Sequence, residues 1–177
     1  MAFLKFTHGT AGLARHFLYL WPVLLLYKFR ILSNEKAKAI VFKRFYQQWP
    51  ASFFEEKATV FCQQVIPEML NPEAIKKLKW HQAQGHRVIV VSAMFEQVLQ
   101  TWSTANQTEL LATKLEVVNN RLTGNFSSRN CYGHEKVNRI KQTGILEQNP
   151  YIYAYGDSEG DEALLRIADL PFYRRFW

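Results

Sequence analysis

Cysteine is scarce in this sequence, which has two among 177 residues, Cys62 and Cys131. They lie far apart and form no C-x-x-C pair, so the sequence has neither a disulfide framework nor a cysteine-based zinc motif. Its five histidines show no metal-ligand spacing either. We therefore expect reduced thiols and a cytoplasmic location.

Low-complexity tracts and internal repeats are also absent. Hydrophobic residues make up 48% of the chain and charged residues 21%. A chain of this length and content can bury a substantial core, which excludes disorder as its main state. The composition predicts one globular domain, with room for an inserted subdomain.

Runs of like charge are missing, although the net charge is +7 and the pI about 9.5. The sequence has no run of five like charges and no nucleic-acid-binding motif, so we expect no nucleic-acid partner. Two interpretations of the positive charge stay open. It attracts anions such as phosphate esters or anionic lipid, or it is a solvated basic surface.

No apolar run is long enough to cross a bilayer, which takes ~20 residues. The longest run, residues 17–27, lies between Arg15 and Lys28 and contains Pro22, which argues against a signal peptide. We interpret residues 13–32 as a helix pair that is buried or lies at an interface. A weak contact of this segment with a membrane surface is the alternative.

The hydrophobic pattern divides the chain near residues 67–72. Residues 1–68 predict helices alone: one over residues 13–32 that is kinked or broken near Pro22, a second starting at Ser33 or Asn34, and a third starting at a capping box on Ser52. We expect this region to be a helical cap subdomain.

Residues 69–177 predict an α/β core. Asn71 and Pro72 are typical of a helix start, and Gly85 of a helix end. Uninterrupted apolar runs at residues 88–91 and 151–155 predict parallel strands buried on both faces. Helix, glycine and buried strand in this order indicate an α/β layer fold.

Two aspartates follow the second buried strand directly. Gly156 ends the strand, and Asp157 and Asp161 come next. Ligands of open α/β sheets bind at the carboxyl ends of strands, and paired carboxylates suit Mg²⁺. The alternative is a polar loop with a helix-capping aspartate.

A hydroxyl and a lysine provide two further signals. Ser92 and Ala93 follow the first buried strand where a helix is predicted to begin, an arrangement that binds phosphate. Lys136 lies in the first turn of another predicted helix, where a cation opposes the helix dipole and suggests an anionic partner. A simple N-cap serine and a surface lysine are the alternatives.

The order of these signals resembles motifs two, three and four of the haloacid dehalogenase (HAD) superfamily. The closer resemblance is to subfamily IB, the phosphoserine-phosphatase-like bacterial hydrolases. It rests on Trp80 to Val88, Val91-Ser92-Ala93, Asn130-Cys131-Tyr132-Gly133 and Ala154-Tyr155-Gly156-Asp157-Ser158, with Pro22 to Lys28 resembling the helical cap. The resemblance implies a Rossmann-like parallel sheet with an inserted helical cap.

The resemblance also implies a Mg²⁺-dependent phosphomonoesterase that acts on a small phosphorylated metabolite through an aspartyl-phosphate. In that scheme Ser92, Ala93 and Lys136 bind the phosphoryl group, and Ser92 and Lys136 assist catalysis. Asp157 ligates Mg²⁺, and Asp161 supports the metal shell or Lys136. The loop lacks the asparagine that phosphoserine phosphatases usually place before the second aspartate, which weakens phosphoserine as the substrate.

The sequence departs from the family at its first motif. No D-x-D pair occurs in the chain, and no aspartate precedes Asp157. The nucleophile, the acid/base and the first, central strand of the sheet are therefore expected to be missing. We expect an N-terminally truncated, inactive hydrolase. The alternative is a pseudoenzyme that binds phosphate or acts as a scaffold without turnover.

Overall fold

The computed structural model describes residues 2–176. Met1, the first residue of the predicted cap, and Trp177, the last residue of the predicted core, lie outside the described residues. The helices are α1 (Ala2–Lys28), α2 (Asn34–Tyr46), α3 (Ala51–Gln64), α4 (Ile66–Met69), α5 (Pro72–Ala83), α6 (Glu96–Ala105), α7 (His134–Gln142) and α8 (Glu162–Arg166). The strands are β1 (Ile89–Phe95), β2 (Glu109–Thr113), β3 (Leu115–Val118), β4 (Arg121–Phe126), β5 (Tyr153–Gly156) and β6 (Leu170–Tyr173).

Helix α1 starts earlier than predicted and continues through Pro22. Its irregular point is Gly9, with φ of 66°. Proline removes one helical hydrogen bond, to the carbonyl four residues earlier, at Leu18. Both Leu18 and Pro22 lie on the exposed side, where water can satisfy that carbonyl. The helix is therefore not broken at Pro22, and the kink that we predicted there as the alternative stays a prediction.

Two of the three predicted helix caps are confirmed. The Ser33 hydroxyl accepts a hydrogen bond from the Lys36 amide at 3.3 Å, and the Asn71 side chain accepts one from the Glu73 amide at 2.9 Å. The predicted start at Ser52 was wrong, because α3 begins at Ala51 without a side-chain cap. The Ala51 amide donates to the main chain of the β3–β4 hairpin instead.

The strands form three pairs. β1 with β2 and β5 with β6 are parallel, and β3 with β4 is antiparallel. The hairpin turn at Asn119 and Asn120, with φ of 50° and 59°, was predicted correctly. The predicted α/β class with parallel strands is confirmed. That a central strand of the family fold is missing stays a prediction, although within residues 2–176 no ladder joins β1 to β5.

The larger hydrophobic core joins the N-terminal helices to α6 and the hairpin. Phe42, Tyr46, Phe54 and Phe61 are almost fully buried there. Phe95, Val98, Leu115 and Leu122 belong to the same cluster. The predicted boundary near residues 67–72 stays a prediction, and this core includes residues from both sides of it.

A smaller core packs α7 and α8 against the parallel strands. Ile140, Ala154 and Leu164 are its buried members, and Val91 and Leu111 pack against them. This second core brings β1, β5 and α7 together. No helix among residues 2–176 is both long enough and apolar enough to cross a membrane.

Candidate functional site

Lys136 connects the two parallel strand pairs. It lies in the first turn of α7, after Gly133, and is 8% exposed. Its Nζ donates to the Val91 carbonyl oxygen at 3.0 Å and to Asp161 Oδ1 at 2.5 Å. The lysine therefore joins strand β1, just before Ser92, to the loop that follows β5.

The carboxylate of Asp161 is fully engaged by donors. Its Oδ2 accepts hydrogen bonds from the Ser158 hydroxyl at 2.7 Å, the Ser158 amide at 3.1 Å and the Asp157 amide at 3.2 Å. Burial works to raise the pKa of Asp161, but the bonds from Lys136 and Ser158 outweigh burial and hold that pKa below its usual value. Asp161 is therefore an ionised anchor for Lys136 and for its own loop.

The side chain of Asp157 is placed differently. The residue is exposed, and its hydrogen bonds within residues 2–176 are made by its main chain. Its carbonyl accepts from Arg174 Nε at 3.0 Å, which holds the loop. Among residues 2–176 no ion pair occupies its carboxylate, which leaves the oxygens open toward solvent.

Ser92 lies inside β1, at a shift in the register between β1 and β2. Strand β1 continues through this serine to Phe95, and the helix predicted to follow the strand begins at Glu96. The Ser92 Oγ accepts a hydrogen bond from the Met94 amide at 3.0 Å. Its hydroxyl hydrogen can therefore be donated to a ligand.

Lys38 is a residue that the sequence analysis missed. It reaches from α2 to the Ala93 carbonyl, and its Nζ donates to Asn130 Oδ1 at 2.7 Å. Burial lowers the pKa of Lys38 to about 8, against the opposing effects of Cys131 and Glu35. In the sequence it is one of several lysines in a helix, and no local pattern distinguishes it.

Two glycines bring the loops of the site into close contact. A Cβ on Gly156 would overlap the side chain of Asp161, lying 2.9 Å from its Cγ, and a Cβ on Gly160 would overlap the ring of Tyr132. The Gly133 amide also donates to the Gly160 carbonyl at 3.0 Å. The start of α7 and the loop after β5 therefore touch directly.

One side chain of this site is suited to ligate a magnesium ion. Across residues 2–176 no group of three or more His, Cys, Asp or Glu side chains is placed to hold a metal. Mg²⁺ usually takes one or two carboxylates, with water and phosphate oxygens completing six positions. Asp157 fits that donor chemistry. Asp161 does not, since its oxygens already accept from Lys136, Ser158 and Asp157.

The structure thus brings together most of the residues that the sequence singled out. Ser92 and Ala93 follow the carbonyl that Lys136 contacts, and the loop of Asp157 is held by the partner of Lys136. His134 is exposed at the beginning of α7. The roles of these residues stay predictions.

The fold and this site define an α/β protein with a lysine–aspartate pair beside the ends of its parallel strands. The family model described as haloacid dehalogenase-like hydrolase matches residues 1–166. The chain belongs to this family, and the predicted resemblance is confirmed.

Two relatives extend the comparison. CicA of Caulobacter vibrioides is 29% identical over 180 residues, which cover 99% of this chain and 78% of that protein. A probable phosphatase of Mycobacterium tuberculosis is 30% identical over 110 residues, which cover 60% of this chain and 35% of that protein.

Solved structures share the fold at lower identity. A Bordetella pertussis protein of unknown function aligns with a TM-score of 0.74 and 23% identity, over 93% of this chain and 76% of that one. A probable phosphoserine phosphatase from Vibrio cholerae aligns with a TM-score of 0.69 and 17% identity, over 94% of this chain and 49% of that one.

Proposed function

We propose that this chain carries the phosphate-binding and magnesium-binding part of a subfamily IB phosphomonoester hydrolase for small phosphorylated metabolites. The observation that carries the proposal is the position of Lys136, which contacts the carbonyl just before Ser92 and the carboxylate of Asp161. The probable phosphatase of Mycobacterium tuberculosis supports the reaction class. The two buried, free cysteines agree with a cytoplasmic location.

Two donors can bind the phosphoryl oxygens. The Ser92 Oγ already accepts from Met94, so its hydrogen is available for a phosphate oxygen. An ammonium has three N–H donors, and Lys136 uses two of them on Val91 and Asp161. The third donor can bind phosphate, where the positive charge of the lysine stabilises charge on the transferred group.

We assign the two aspartates different roles. Asp157 is the protein ligand for Mg²⁺, because its carboxylate is exposed beside the site. When bound, the ion supplies charge neutralisation at the phosphoryl oxygens. Asp161 positions Lys136 and the Asp157 loop and is not a direct ligand, which is the second of the two roles that the resemblance implied.

The family's aspartyl-phosphate mechanism needs a nucleophile that this sequence does not supply, because its first aspartate is Asp157. We therefore expect the given chain to bind phosphate without turnover. A truncated hydrolase and a pseudoenzyme that binds phosphate as a scaffold both account for this. The absence of any D-x-D pair is the observation behind both candidates.

The test combines binding with turnover. Inorganic phosphate is titrated calorimetrically in the presence of Mg²⁺ into the wild-type chain, Ser92→Ala and Lys136→Met, with Lys141→Met as the control on an exposed position of the same helix. Each site variant should lose at least about tenfold in affinity, corresponding to about 1.4 kcal/mol. The control should keep wild-type affinity.

Hydrolysis of p-nitrophenyl phosphate is then compared for this chain and for a chain extended by any in-frame codons upstream of Met1. Turnover that appears only when the extension adds a D-x-D motif supports the hydrolase. Phosphate binding without such a motif and without turnover supports the pseudoenzyme. Absence of phosphate binding in the wild-type chain would refute both.

A further inference from the structure

The end of α1 carries an unusually concentrated apolar surface. Leu18, Tyr19, Trp21, Leu24, Leu25, Leu26, Tyr27, Phe29 and Ile31 are all exposed. We call these nine side chains the apolar tip. The other large apolar side chains that are exposed among residues 2–176 are spread from Ile40 to Tyr173. Single exposed apolar residues are ordinary, whereas a contiguous patch indicates an interaction surface.

The tip extends past the core. Leu20 is buried and Val23 is partly buried against the larger core, but every residue from 24 to 31 is exposed. Leu24 to Tyr27 make a full helical turn, so apolar side chains point to every side of the helix end, and Lys28 is the exception. An apolar surface that extends around the end of a helix can sink into the boundary between lipid headgroups and acyl chains. A groove on a partner protein would cover one side only.

The charge around the tip has one sign. Residues 1–34 contain no aspartate or glutamate. Apart from histidine, the charged residues in this stretch are Lys5, Arg15, Lys28 and Arg30. The first acidic residue, Glu35, accepts a hydrogen bond from the Asn130 amide at 3.1 Å. The tip therefore presents apolar side chains together with positive charge alone.

The turn between α1 and α2 has the arrangement expected of a membrane anchor. Phe29 and Ile31 are 69% and 72% exposed, and Lys28 and Arg30 alternate with them. Tyrosine and tryptophan, which favour the boundary between headgroups and acyl chains, occur at exposed positions 19, 21 and 27. Basic side chains next to such residues bind anionic headgroups.

We propose that the apolar tip docks on the surface of an anionic phospholipid bilayer. Phe29, Ile31 and Leu25 insert into the interfacial region, and Lys28 and Arg30 contact lipid phosphates. The tip is too short to span the bilayer, so it lies in the interface. This inference is independent of the proposed phosphate chemistry at Lys136.

The test is vesicle flotation of the full chain. One set of vesicles is pure phosphatidylcholine, and the other contains equal parts of phosphatidylcholine and phosphatidylglycerol. We expect the chain to float with the anionic vesicles and to bind the neutral ones at least about tenfold more weakly. The double variants Phe29→Ser with Ile31→Ser, and Lys28→Glu with Arg30→Glu, should each lower partitioning roughly tenfold or more.

Matched controls carry the same changes elsewhere on the surface. Met69 and Tyr151, 62% and 64% exposed, are changed to serine together, and the exposed Lys79 and Lys141 are changed to glutamate together. Both controls should bind like the wild-type chain. Equal loss in the controls, or no flotation of the wild type, would overturn the proposal. Sedimentation of a lipid-free dimer that the Phe29 and Ile31 changes dissociate would also overturn it, in favour of a second copy on the tip.

Discussion

Lys136 and Asp161 form a buried ion pair, with Nζ 2.5 Å from Oδ1 and side chains that are 10% and 9% exposed. The lysine belongs to the start of α7 and the aspartate to the loop after β5. Each member has further partners, Val91 for the lysine and Ser158 for the aspartate. The pair is therefore part of a network that fixes three segments of the site.

Breaking this pair from one side should destabilise the protein strongly. Lys136→Met leaves the Asp161 carboxylate buried without its counter-ion, and we expect a loss of about 3–5 kcal/mol in the free energy of unfolding. The double variant with Asp161→Asn should cost less than the sum of the single variants. Urea unfolding measures all three. The control is Glu162→Gln, which breaks an exposed pair with Arg166 and should cost below ~1 kcal/mol. Additive costs for the double variant would contradict the network.

Lys38 should make stability depend on pH in the alkaline range. Its pKa is about 8 in the folded chain and 10.5 ordinarily. Between these values the unfolded chain binds more protons, so the free energy of unfolding rises with pH over that window. We expect wild type to gain stability relative to Lys38→Met as the pH rises from 8 to 10.5.

Urea unfolding at several pH values measures this difference, and Lys76→Met, which removes an exposed lysine, controls for the lost charge. A flat or falling difference between wild type and Lys38→Met would show that burial does not govern the titration of this lysine.

Gly156→Ala should disturb the site through a steric overlap. The new Cβ would overlap Asp161, whose contacts hold Lys136 and the loop. We expect a loss of about 1–3 kcal/mol in stability, together with weaker phosphate binding. Gly144→Ala is the control, because a Cβ there meets no atom within 4 Å, although the backbone of this residue has a φ of +69°. It should cost ~1–2 kcal/mol through backbone strain and leave phosphate binding unchanged. Equal phosphate affinity in both variants would argue against the overlap.

Asp157→Asn should weaken magnesium binding while the fold is retained. The side chain is exposed and makes no ion pair with residues 2–176. The substitution should therefore change the free energy of unfolding by no more than about 0.5 kcal/mol. We expect the dissociation constant for Mg²⁺ in the presence of phosphate to rise at least about tenfold. Calorimetric titration with MgCl₂ measures it, and Asp169→Asn is the control with the same charge change. Unchanged Mg²⁺ affinity in Asp157→Asn would remove this residue from the metal site.

The elements that the sequence predicted well depend on neighbouring residues. Ser33 and Asn71 cap helices through amides two or three positions away. Asn119 and Asn120 form a two-residue turn that tolerates positive φ. The parallel strands followed from uninterrupted apolar runs. In each case the signal and the structure lie within a few residues of each other, so a single sequence contains the information.

The features that could not be predicted depend on residues far apart in the chain. The contact of Lys38 with Ala93 joins α2 to β1, and nothing near Lys38 indicates it. The register shift at Ser92 depends on the pairing of β1 with β2. The carboxylate oxygens of Asp161 are unavailable to a metal because Lys136, Ser158 and Asp157 all donate hydrogen bonds to them. Tertiary packing decides these points.

The shared aromatic core ties the N-terminal helices to strand β1 and to the β3–β4 hairpin. The ring of Phe42 in α2 lies 4.7 Å from that of Phe95 and 5.5 Å from that of Phe126, centroid to centroid. If the N-terminal helices swung away like a hinged lid, these rings would be exposed to water, at about 1.5–3 kcal/mol for each side chain. The N-terminal helices should therefore stay packed on β1 and the hairpin, and the three should move as one rigid unit.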